Sequence, residues 1–431
     1  MERRMLMEKF VINGQKHLQG EMEVRGAKNA AFPLLAASLL TREDCIIENI
    51  PFIEDVFRMI EILKSMGADV EWVGERVLRL NTRHIDPSNI DARLVSRLRG
   101  SVLFLGPLLA RFGKVSLLQP GGDIIGARPI DTHLDAFLQL GVKINQRNHN
   151  GYALELSRKP KDQIVVLNEF SVTATENVLL FAAFMPSKIT VKIADLDYQV
   201  QELIHFLRKM GANITTGLHT IMVKGSAKLK GVKHRLMYDP IEAGTFVLLA
   251  AAAKGEITVA PVEFRFLEFF FKKLKDFRLR FDAEVGPSGL AKVKVFPSKG
   301  MNIDKIQSFI YPGIHSDLQS AFGVLATQTK GPTLLHDPLY EGRLKYLEEL
   351  NKMGAEIYFT DPHRAIIMGP SILHGADLGT FDLRGGAALV IAALIAKGQS
   401  TIRNVYQIDR GYEKIEERLE KVGADIKRVT Q

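Results

Sequence analysis

A glycine-rich loop carries the most unusual ionisable residue of this sequence. Residues 120–129 read PGGDIIGARP, with Asp123 near the centre and Arg128 close to the end. Glycines between two prolines leave backbone N–H groups able to surround a phosphate or a sugar, and Arg128 adds a fixed positive charge. Asp123 could act as a proton donor in a closed, phosphate-lined site, or it could only stabilise a turn.

A lysine stands at the beginning of a predicted apolar helix. Lys28 and Asn29 directly precede the apolar run of residues 30–40. Free N–H groups at a helix N-terminus and a neighbouring ammonium both favour a bound phosphate. A lysine in this position can equally be solvated. Arg99 precedes a second run of small and apolar residues and is another candidate cation.

Asp317 follows a turn sequence, YPGIHS at residues 311–316, at a predicted helix start. As an N-cap it would contribute about 0.5 to 2 kcal/mol to stability. As a carboxylate facing a cleft it could instead serve as a general base. The local sequence leaves both interpretations open.

Three arginines, Arg343, Arg384 and Arg410, follow in segments that we interpret as corresponding loops. A guanidinium remains charged and grips carboxylates or phosphates with a planar fork, each contact contributing about 1.5 to 3 kcal/mol. The set therefore suggests a small substrate with two anionic groups. The alternative is a surface ion pair for each, for example Arg410 with Asp409 or Glu413, which would contribute little.

These residues are distributed over what we interpret as six copies of one unit. Each copy has a small-residue helix, such as residues 30–40 or 387–396, then a strand, and later an amphipathic helix that ends before another short strand. Five of these helix ends carry a glycine, namely Gly67, Gly141, Gly211, Gly354 and Gly423, and the copy ending near Phe277 has lost it. Such junctions recur in many α/β proteins, but the preceding small-residue helices favour a true repeat of about 70 residues.

Six units predict an α/β fold of two domains, each built from three units. We expect one domain at residues 28–236 and the other at residues 1–27 plus 237–431. A chain of 431 residues is also too long for one ordinary domain. A ligand cleft between the two domains is the expected site.

Composition narrows the class of partner. The formal net charge of +8 suits anionic partners, but basic residues are spread along the chain without a zinc-ligand cluster, an RNA-binding signature or a basic tail. We therefore expect small anionic ligands, no nucleic acid and no membrane, and leave protein partners open. The single cysteine, Cys45, lies in a strand-like run and is interpreted as a buried structural thiol. The absence of a signal sequence and of disulfides favours the cytoplasm.

Six segments form a distinctive set: GAKNAA at 26–31, LGPLLARFG at 105–113, GARPID at 126–131, SVTATEN at 171–177, IEAGT at 241–245 and IDRGYE at 408–413. Together they resemble the UDP-N-acetylglucosamine 1-carboxyvinyltransferases, the enolpyruvyl transferases of peptidoglycan synthesis. The glycine-rich loop with its Ala-Arg-Pro ending separates this group from the shikimate-pathway enolpyruvyl transferases. The resemblance implies two inside-out α/β barrels of three units each, in agreement with the repeat.

The resemblance also implies a reaction, the addition of UDP-N-acetylglucosamine to phosphoenolpyruvate followed by elimination of phosphate. Asp317 would take the proton of the sugar 3-hydroxyl, Asp123 would protonate the enol carbon, and Lys28 completes the catalytic set. Phosphoenolpyruvate would be held by Lys28, Asn29, Arg128, Arg343, Arg384 and Arg410. The UDP-sugar would contact Arg99, Arg128, Pro129, Ile130, Asp131, Thr132, Ser171, Val172, Asp317 and Leu339. No cofactor and no metal are expected, since the arginines and the lysine can neutralise the phosphate.

The sequence departs from the family's usual pattern at four places. Asp123 stands where most members have cysteine, Gly342 replaces an asparagine, His315-Ser316 replaces Pro-Thr, and Pro240 replaces an arginine. A carboxylate is a poor nucleophile towards an epoxide, so the first departure predicts insensitivity to fosfomycin, which alkylates that cysteine. Two alternatives remain: a catalytically weak paralogue that binds UDP-sugar as a regulatory module, and a transferase for another alcohol.

Overall fold

A computed structural model describes residues 8–123, 125–147 and 151–430 of the chain. The strands are β1 (Glu8–Asn13), β2 (Gln19–Glu23), β3 (Cys45–Glu48), β4 (Asp69–Gly74), β5 (Val77–Asn81), β6 (Lys114–Leu118), β7 (Val142–Arg147), β8 (Gly151–Leu156), β9 (Gln163–Val166), β10 (Lys188–Lys192), β11 (Asn213–Gly217), β12 (Thr220–Lys224), β13 (Val232–Arg235), β14 (Glu256–Glu263), β15 (Phe281–Val285), β16 (Leu290–Val295), β17 (Lys305–Gln307), β18 (Gly331–His336), β19 (Glu356–Asp361), β20 (Arg364–Gly369), β21 (Asp377–Gly379), β22 (Gln399–Arg403) and β23 (Asp425–Thr430).

The α-helices are α1 (Lys28–Ala37), α2 (Glu54–Ser65), α3 (Ala92–Val95), α4 (Leu105–Phe112), α5 (Asp131–Gln139), α6 (Val172–Phe184), α7 (Tyr198–Met210), α8 (Pro240–Ala252), α9 (Glu268–Asp276), α10 (Ser316–Ala326), α11 (Tyr346–Lys352), α12 (Leu383–Ile395), α13 (Tyr406–Asp409) and α14 (Ile415–Glu420). Short 3₁₀ helices occur at Ser38–Leu40, Pro87–Asn89, Arg99–Phe104 and Phe264–Phe266. None of the helices in the described part of the chain is both long enough and apolar enough to cross a membrane.

Contacts divide the chain into two compact units. The described residues of unit 1 lie within Met1–Arg25, Asp123–Ala127 and Tyr238–Gln431, and those of unit 2 within Gly26–Gly122 and Arg128–Met237. The segment Asp123–Ala127 is therefore grouped with unit 1, although the residues on either side of it belong to unit 2. The predicted functional domains, 28–236 and 1–27 plus 237–431, stay a prediction.

Each unit contains three sheets formed by described residues. In unit 2 the strand orders are β13-β3-β5-β4, β6-β8-β7 and β11-β12-β10-β9, and in unit 1 they are β15-β16-β14-β2, β17-β18-β20-β19 and β21-β22-β1-β23. Strand β1, from the N-terminal part of the chain, pairs antiparallel with both β22 and β23. The beginning of the chain thus completes the sheet formed by its end, which links the unit-1 segments into one body.

The central helices are buried on all sides because their sequences are apolar all round. All residues of α8 are buried, and α12 is buried from Leu383 to Leu394. Glycines let these helices approach closely: a Cβ on Gly106 of α4 would lie 2.4 Å from the carbonyl oxygen of Asn177 on α6. A Cβ on Gly244 of α8 would lie 2.7 Å from Leu318 on α10. In both units, a glycine allows two buried helices to pack closely.

The helix ends repeat as the sequence predicts. Gly67, Gly211 and Gly354 have φ values of +92°, +108° and +95°, the left-handed conformation that ends a helix. In the copy without a glycine, Arg278 adopts the same conformation with φ +62°. Its N–H donates to Lys275, and Leu279 donates back to Leu274. The backbone geometry is therefore kept where the glycine is lost.

Candidate active site

Asp317, the second residue of α10 in unit 1, is held by two arginines. Its Oδ1 accepts a hydrogen bond from Arg343 Nη2 at 2.8 Å, and its Oδ2 accepts one from Arg384 Nε at 3.0 Å. The carboxylate is 17% exposed, whereas the two guanidinium side chains are 3% and 2% exposed. Charge-assisted bonds of this kind are short and strong, so they fix the direction of the carboxylate.

The interpretation of Asp317 as an N-cap is wrong. The N-cap of α10 is His315, whose Nδ1 accepts the backbone N–H of Asp317 at 3.0 Å. The histidine that departs from the family's usual Pro-Thr pair therefore does the capping. The Asp317 carboxylate is therefore not used for capping and is held by the two arginines.

Arg384 does not lie in a loop as expected but is the second residue of α12. Asp382 caps this helix by accepting the N–H groups of Arg384 and Gly385, each at 3.0 Å. Burial is the largest influence on Arg384 and opposes its charged form, but Asp317, Tyr412 and Asp239 together outweigh it and raise the pKa of Arg384. The pKa of Arg343 is likewise raised, with burial opposing and Asp317 and Asp382 favouring the charge.

Arg410 pairs with Asp123. This arginine follows α13 directly and is 7% exposed. Its Nη1 donates to the Asp123 carboxylate and, at 2.9 Å, to Gln407 Oε1. The alternative was a surface ion pair with Asp409 or Glu413, but Arg410 is buried, and Asp409 accepts from Arg428 at 2.6 Å. Within unit 1 the predicted acid thus contacts one of the predicted substrate-binding arginines.

Ile125 and Ala127 contact the two residues before Arg343. Gly342 N donates to Ile125 O at 2.9 Å, and Ala127 N donates to Glu341 Oε1 at 2.8 Å. The Ala127 bond lowers the pKa of the Glu341 carboxyl. A Cβ on Gly342 would lie 2.6 Å from the Ile125 carbonyl carbon. Only glycine fits this contact, which gives a physical reason for the Gly342 departure.

Unit 2 holds the predicted lysine. Lys28 is the first residue of α1 and is 6% exposed, so the alternative of a solvated lysine is wrong. Its Nζ lies 2.8 Å from Asp55 Oδ2, a partner that the sequence reasoning missed. The adjacent Asn29 Nδ2 donates to the Tyr198 hydroxyl at 3.2 Å. Asp55 is one of two acidic residues in the first turn of α2, and it is buried, which the local sequence does not show.

The other two predicted cations of unit 2, Arg99 and Arg128, both lie near Gly122. Arg99 opens a 3₁₀ helix rather than an α-helix, and its Nη2 donates to Pro129 O at 3.0 Å. A Cβ on Gly122 would meet both Arg99 Cβ at 2.8 Å and Arg128 Nη1 at 3.5 Å. The two arginines therefore approach the same glycine.

Most of the other predicted sugar contacts lie at or just before helix starts. Ser171 caps α6 by accepting Ala174 N at 3.3 Å, and Val172 is the first residue of that helix. Asp131 begins α5, where Thr132 donates to Glu169 at 2.9 Å, and Ile130 is buried just before it. Leu339, in unit 1, is 40% exposed and its N–H donates to Asp337 at 3.0 Å. The roles of all these residues stay predictions.

Two comparisons define the class of protein. The family EPSP synthase (3-phosphoshikimate 1-carboxyvinyltransferase) matches residues 12–419. The enolpyruvyl transferase NikO from Streptomyces tendae superposes with a TM-score of 0.88 at 25% identity, covering 99% of both chains. EPSP synthase from Acinetobacter baumannii superposes with a TM-score of 0.75 at 18% identity, covering 98% of this chain and 100% of that one. The chain therefore belongs to the EPSP synthase family of carboxyvinyltransferases, and the predicted fold class is confirmed.

Curated relatives narrow the similarity further. UDP-N-acetylglucosamine 1-carboxyvinyltransferase of Treponema denticola is 39% identical over 97% of this chain and 99% of that protein. The protein of the same name from Bradyrhizobium diazoefficiens is 39% identical over 98% of both chains. The resemblance read from the sequence segments is thereby confirmed.

Proposed function

We propose that this protein transfers the enolpyruvyl group of phosphoenolpyruvate to the 3-hydroxyl of UDP-N-acetylglucosamine and releases phosphate, the first committed step of peptidoglycan synthesis. The observation that carries the proposal is Asp317 between Arg343 and Arg384, which places a fixed carboxylate among cations suited to a doubly anionic substrate. The names of the curated relatives support the choice of sugar nucleotide. Membership of a transferase family supports the reaction class.

Phosphoenolpyruvate is assigned to a set of cationic and amide side chains. Arg343 and Arg384 are buried, so their bonds to a substrate anion would be made largely out of water and would be strong. Lys28 and Asn29 contribute at the beginning of α1, where the helix dipole favours a phosphate. The residues assigned to phosphoenolpyruvate are Lys28, Asn29, Arg128, Arg343, Arg384 and Arg410.

The UDP-sugar is assigned mainly to unit 2. Arg99 and Arg128 supply positive charge for the diphosphate, and the starts of α5 and α6 supply N–H donors. The residues assigned to the sugar nucleotide are Arg99, Arg128, Pro129, Ile130, Asp131, Thr132, Ser171, Val172, Asp317 and Leu339.

In the addition step, Asp317 takes the proton of the 3-hydroxyl while the sugar oxygen forms a bond to C2 of phosphoenolpyruvate. The double bond between C2 and C3 supplies the electron pair with which C3 takes a proton from Asp123. The product is a tetrahedral ketal that still carries the phosphate. The hydrogen bonds from Arg343 and Arg384 fix the direction of the Asp317 carboxylate, which supports its assignment as the general base.

In the elimination step, C3 returns a proton to Asp123 and the bond between C2 and the phosphate oxygen breaks. The double bond re-forms, and the leaving phosphate carries away the proton that Asp317 accepted. The net change replaces the hydroxyl hydrogen of the sugar by an enolpyruvyl group. Buried cations lower the barrier by stabilising the negative charge on the leaving phosphate.

Asp123 also has a consequence for inhibition. A cysteine thiolate attacks an epoxide readily, whereas a carboxylate attacks it poorly. We therefore propose that the protein is insensitive to fosfomycin. We place its action in the cytoplasm, where both substrates are available, and expect it to contribute to cell shape and cell division through the cell wall.

The product identifies the reaction. Incubation with phosphoenolpyruvate and UDP-N-acetylglucosamine should give, in proton NMR, two vinylic signals on a sugar nucleotide substituted at the 3-oxygen. The proposed acceptor would be contradicted if a vinylic product formed only with another alcohol. It would also be contradicted if no alcohol gave a vinylic product.

A further inference from the structure

Three side chains with metal-binding atoms come together in unit 2, and none of them is among the residues assigned to the substrates. Glu202 and His205 lie three residues apart on α7, and His234 lies on β13. The carboxylate oxygen and the two imidazole nitrogens all lie within 4.8 Å of one another. The sequence shows no such cluster, because the third member is on a separate strand.

Two of the three side chains are fixed by the fold. Glu202 and His234 are 7% and 2% exposed, and Glu202 Oε1 accepts from His234 Nε2 at 2.9 Å. The same oxygen accepts the backbone N–H of Met237 at 3.0 Å. A carboxylate oriented by a backbone N–H, beside an imidazole already directed at it, has the kind of support that orients metal ligands.

His205 gives the cluster one open side. It is exposed, unlike its two partners, and its ring lies at 82° to that of His234 with centroids 5.3 Å apart. An ion could therefore reach the cluster from solvent and keep a water molecule on that side. Two imidazoles and one carboxylate with an open position form a ligand set well suited to zinc.

We propose that Glu202, His205 and His234 form a binding site for a divalent transition metal ion such as Zn²⁺. The ion would replace the hydrogen bond between His234 and Glu202 and would tie α7 to β13. Because it would bind only the folded chain, it would stabilise unit 2 by mass action. The proposal is independent of the transferase reaction.

The positive charge of Lys209 opposes the binding of a cation at this cluster, so replacing Lys209 tests the proposal. Its Nζ donates to His234 Nδ1 at 3.2 Å, so the proton of the neutral imidazole is on Nε2, towards Glu202. Metal binding moves that proton to Nδ1, and Nε2 then coordinates the ion. Lys209 is exposed, so its ammonium can turn into solvent at small cost. Removing this lysine should therefore tighten metal binding, whereas removing a ligand should weaken it.

The test uses the full chain without an affinity tag, stripped with a chelator. Zn²⁺ is titrated by calorimetry, and Co²⁺ by its visible absorption, which reports the coordination geometry. Wild-type protein should bind one ion at this site. His205→Ala, which changes an exposed side chain, should weaken binding by at least about 10- to 100-fold. His17→Ala, a change at another exposed histidine, should leave it unchanged.

Two further variants complete the design. Lys209→Met should tighten binding a few-fold, because a nearby like charge is removed. His234→Gln keeps a polar group of similar size in the buried position and should weaken binding as His205→Ala does. Failure of wild-type protein to bind Zn²⁺ or Co²⁺, or equal binding by wild type and His205→Ala, would overturn the proposal. Weaker binding in Lys209→Met would also contradict it.

Discussion

Arg410 donates a hydrogen bond to the carboxylate of Asp123, so the residue proposed as the proton donor pairs with a residue proposed to hold phosphoenolpyruvate. In the proposed mechanism Arg410 must hold the substrate anion and the Asp123 carboxyl must reach C3 of phosphoenolpyruvate. The proposed chemistry therefore requires this pair to separate when the substrate anion reaches Arg410. Asp123 would thus compete with the substrate anion for Arg410.

The first prediction concerns the affinity for phosphoenolpyruvate. Asp123→Asn removes the competing charge and the proton donor together. We expect phosphoenolpyruvate to bind a few-fold more tightly while turnover falls by about 10²- to 10⁴-fold. Equilibrium binding and steady-state rates measure the two effects separately. Weaker binding with normal turnover would mean that Asp123 neither competes for Arg410 nor donates the proton.

A second prediction concerns the contact at Gly342. Gly342→Ala places a Cβ 2.6 Å from the Ile125 carbonyl carbon, so residues 125–127 must shift. We expect kcat to fall by about tenfold or more, because small misplacements near reacting groups are costly. Gly217→Ala is the matched control, since its Cβ would meet only Thr220 O at 3.9 Å. Equal rates for both variants, at equal melting temperature, would show that the contact does not matter.

A third prediction concerns stability and pH. Burial, and then the charges of Asp195 and Asp197, raise the pKa of Glu176 well above 4.5. Below pH 4.5 Glu176 is protonated in both the folded and the unfolded chain, so its titration does not lower the free energy of unfolding. As the pH rises above 4.5, the unfolded chain ionises first and the folded chain loses stability, by at most about 1.4 kcal/mol per pH unit.

Glu176→Gln removes this titration. The stability advantage of the variant over wild type should therefore grow between about pH 5 and about pH 8, as measured by denaturant unfolding at several pH values. Glu420→Gln, at an exposed glutamate, should show no such growth. An advantage independent of pH would indicate that Glu176 is not held protonated.

A fourth prediction concerns inhibition. Fosfomycin should leave the wild-type protein active, because a carboxylate attacks the epoxide poorly. Asp123→Cys should remain active and become sensitive, with loss of activity that depends on time. Mass spectrometry of the intact variant would show the covalent adduct. Ordinary inactivation of wild-type protein by fosfomycin would refute the assignment of Asp123.

Much of the fold follows from local sequence. Small-residue helices and glycine helix ends predict the repeated unit, because close packing and left-handed caps each restrict the residue type. The copy without a glycine shows the limit of this argument, since Arg278 adopts the same conformation at φ +62°. A non-glycine residue can bear that strain when the surrounding fold requires it.

The site was predicted less completely. Residue types and helix starts identify Lys28, Asp317 and the arginines, but the partners of these residues come from distant segments. Asp55 beside Lys28 and His315 as the cap of Asp317 depend on tertiary structure and on a local competition for one N–H group. The cluster of Glu202, His205 and His234 was missed for the same reason, because sequence spacing does not show which strand lies beside a helix.

The central claim is that this chain uses UDP-N-acetylglucosamine to release phosphate from phosphoenolpyruvate, with Asp317 as the base. The most direct measurement is phosphate release with and without the sugar nucleotide, for wild type and for Asp317→Ala. We predict release by wild-type protein only when the sugar is present, and none by the variant, which should still bind the sugar nucleotide measurably. Release that does not depend on the sugar, or full activity of Asp317→Ala, would contradict the claim.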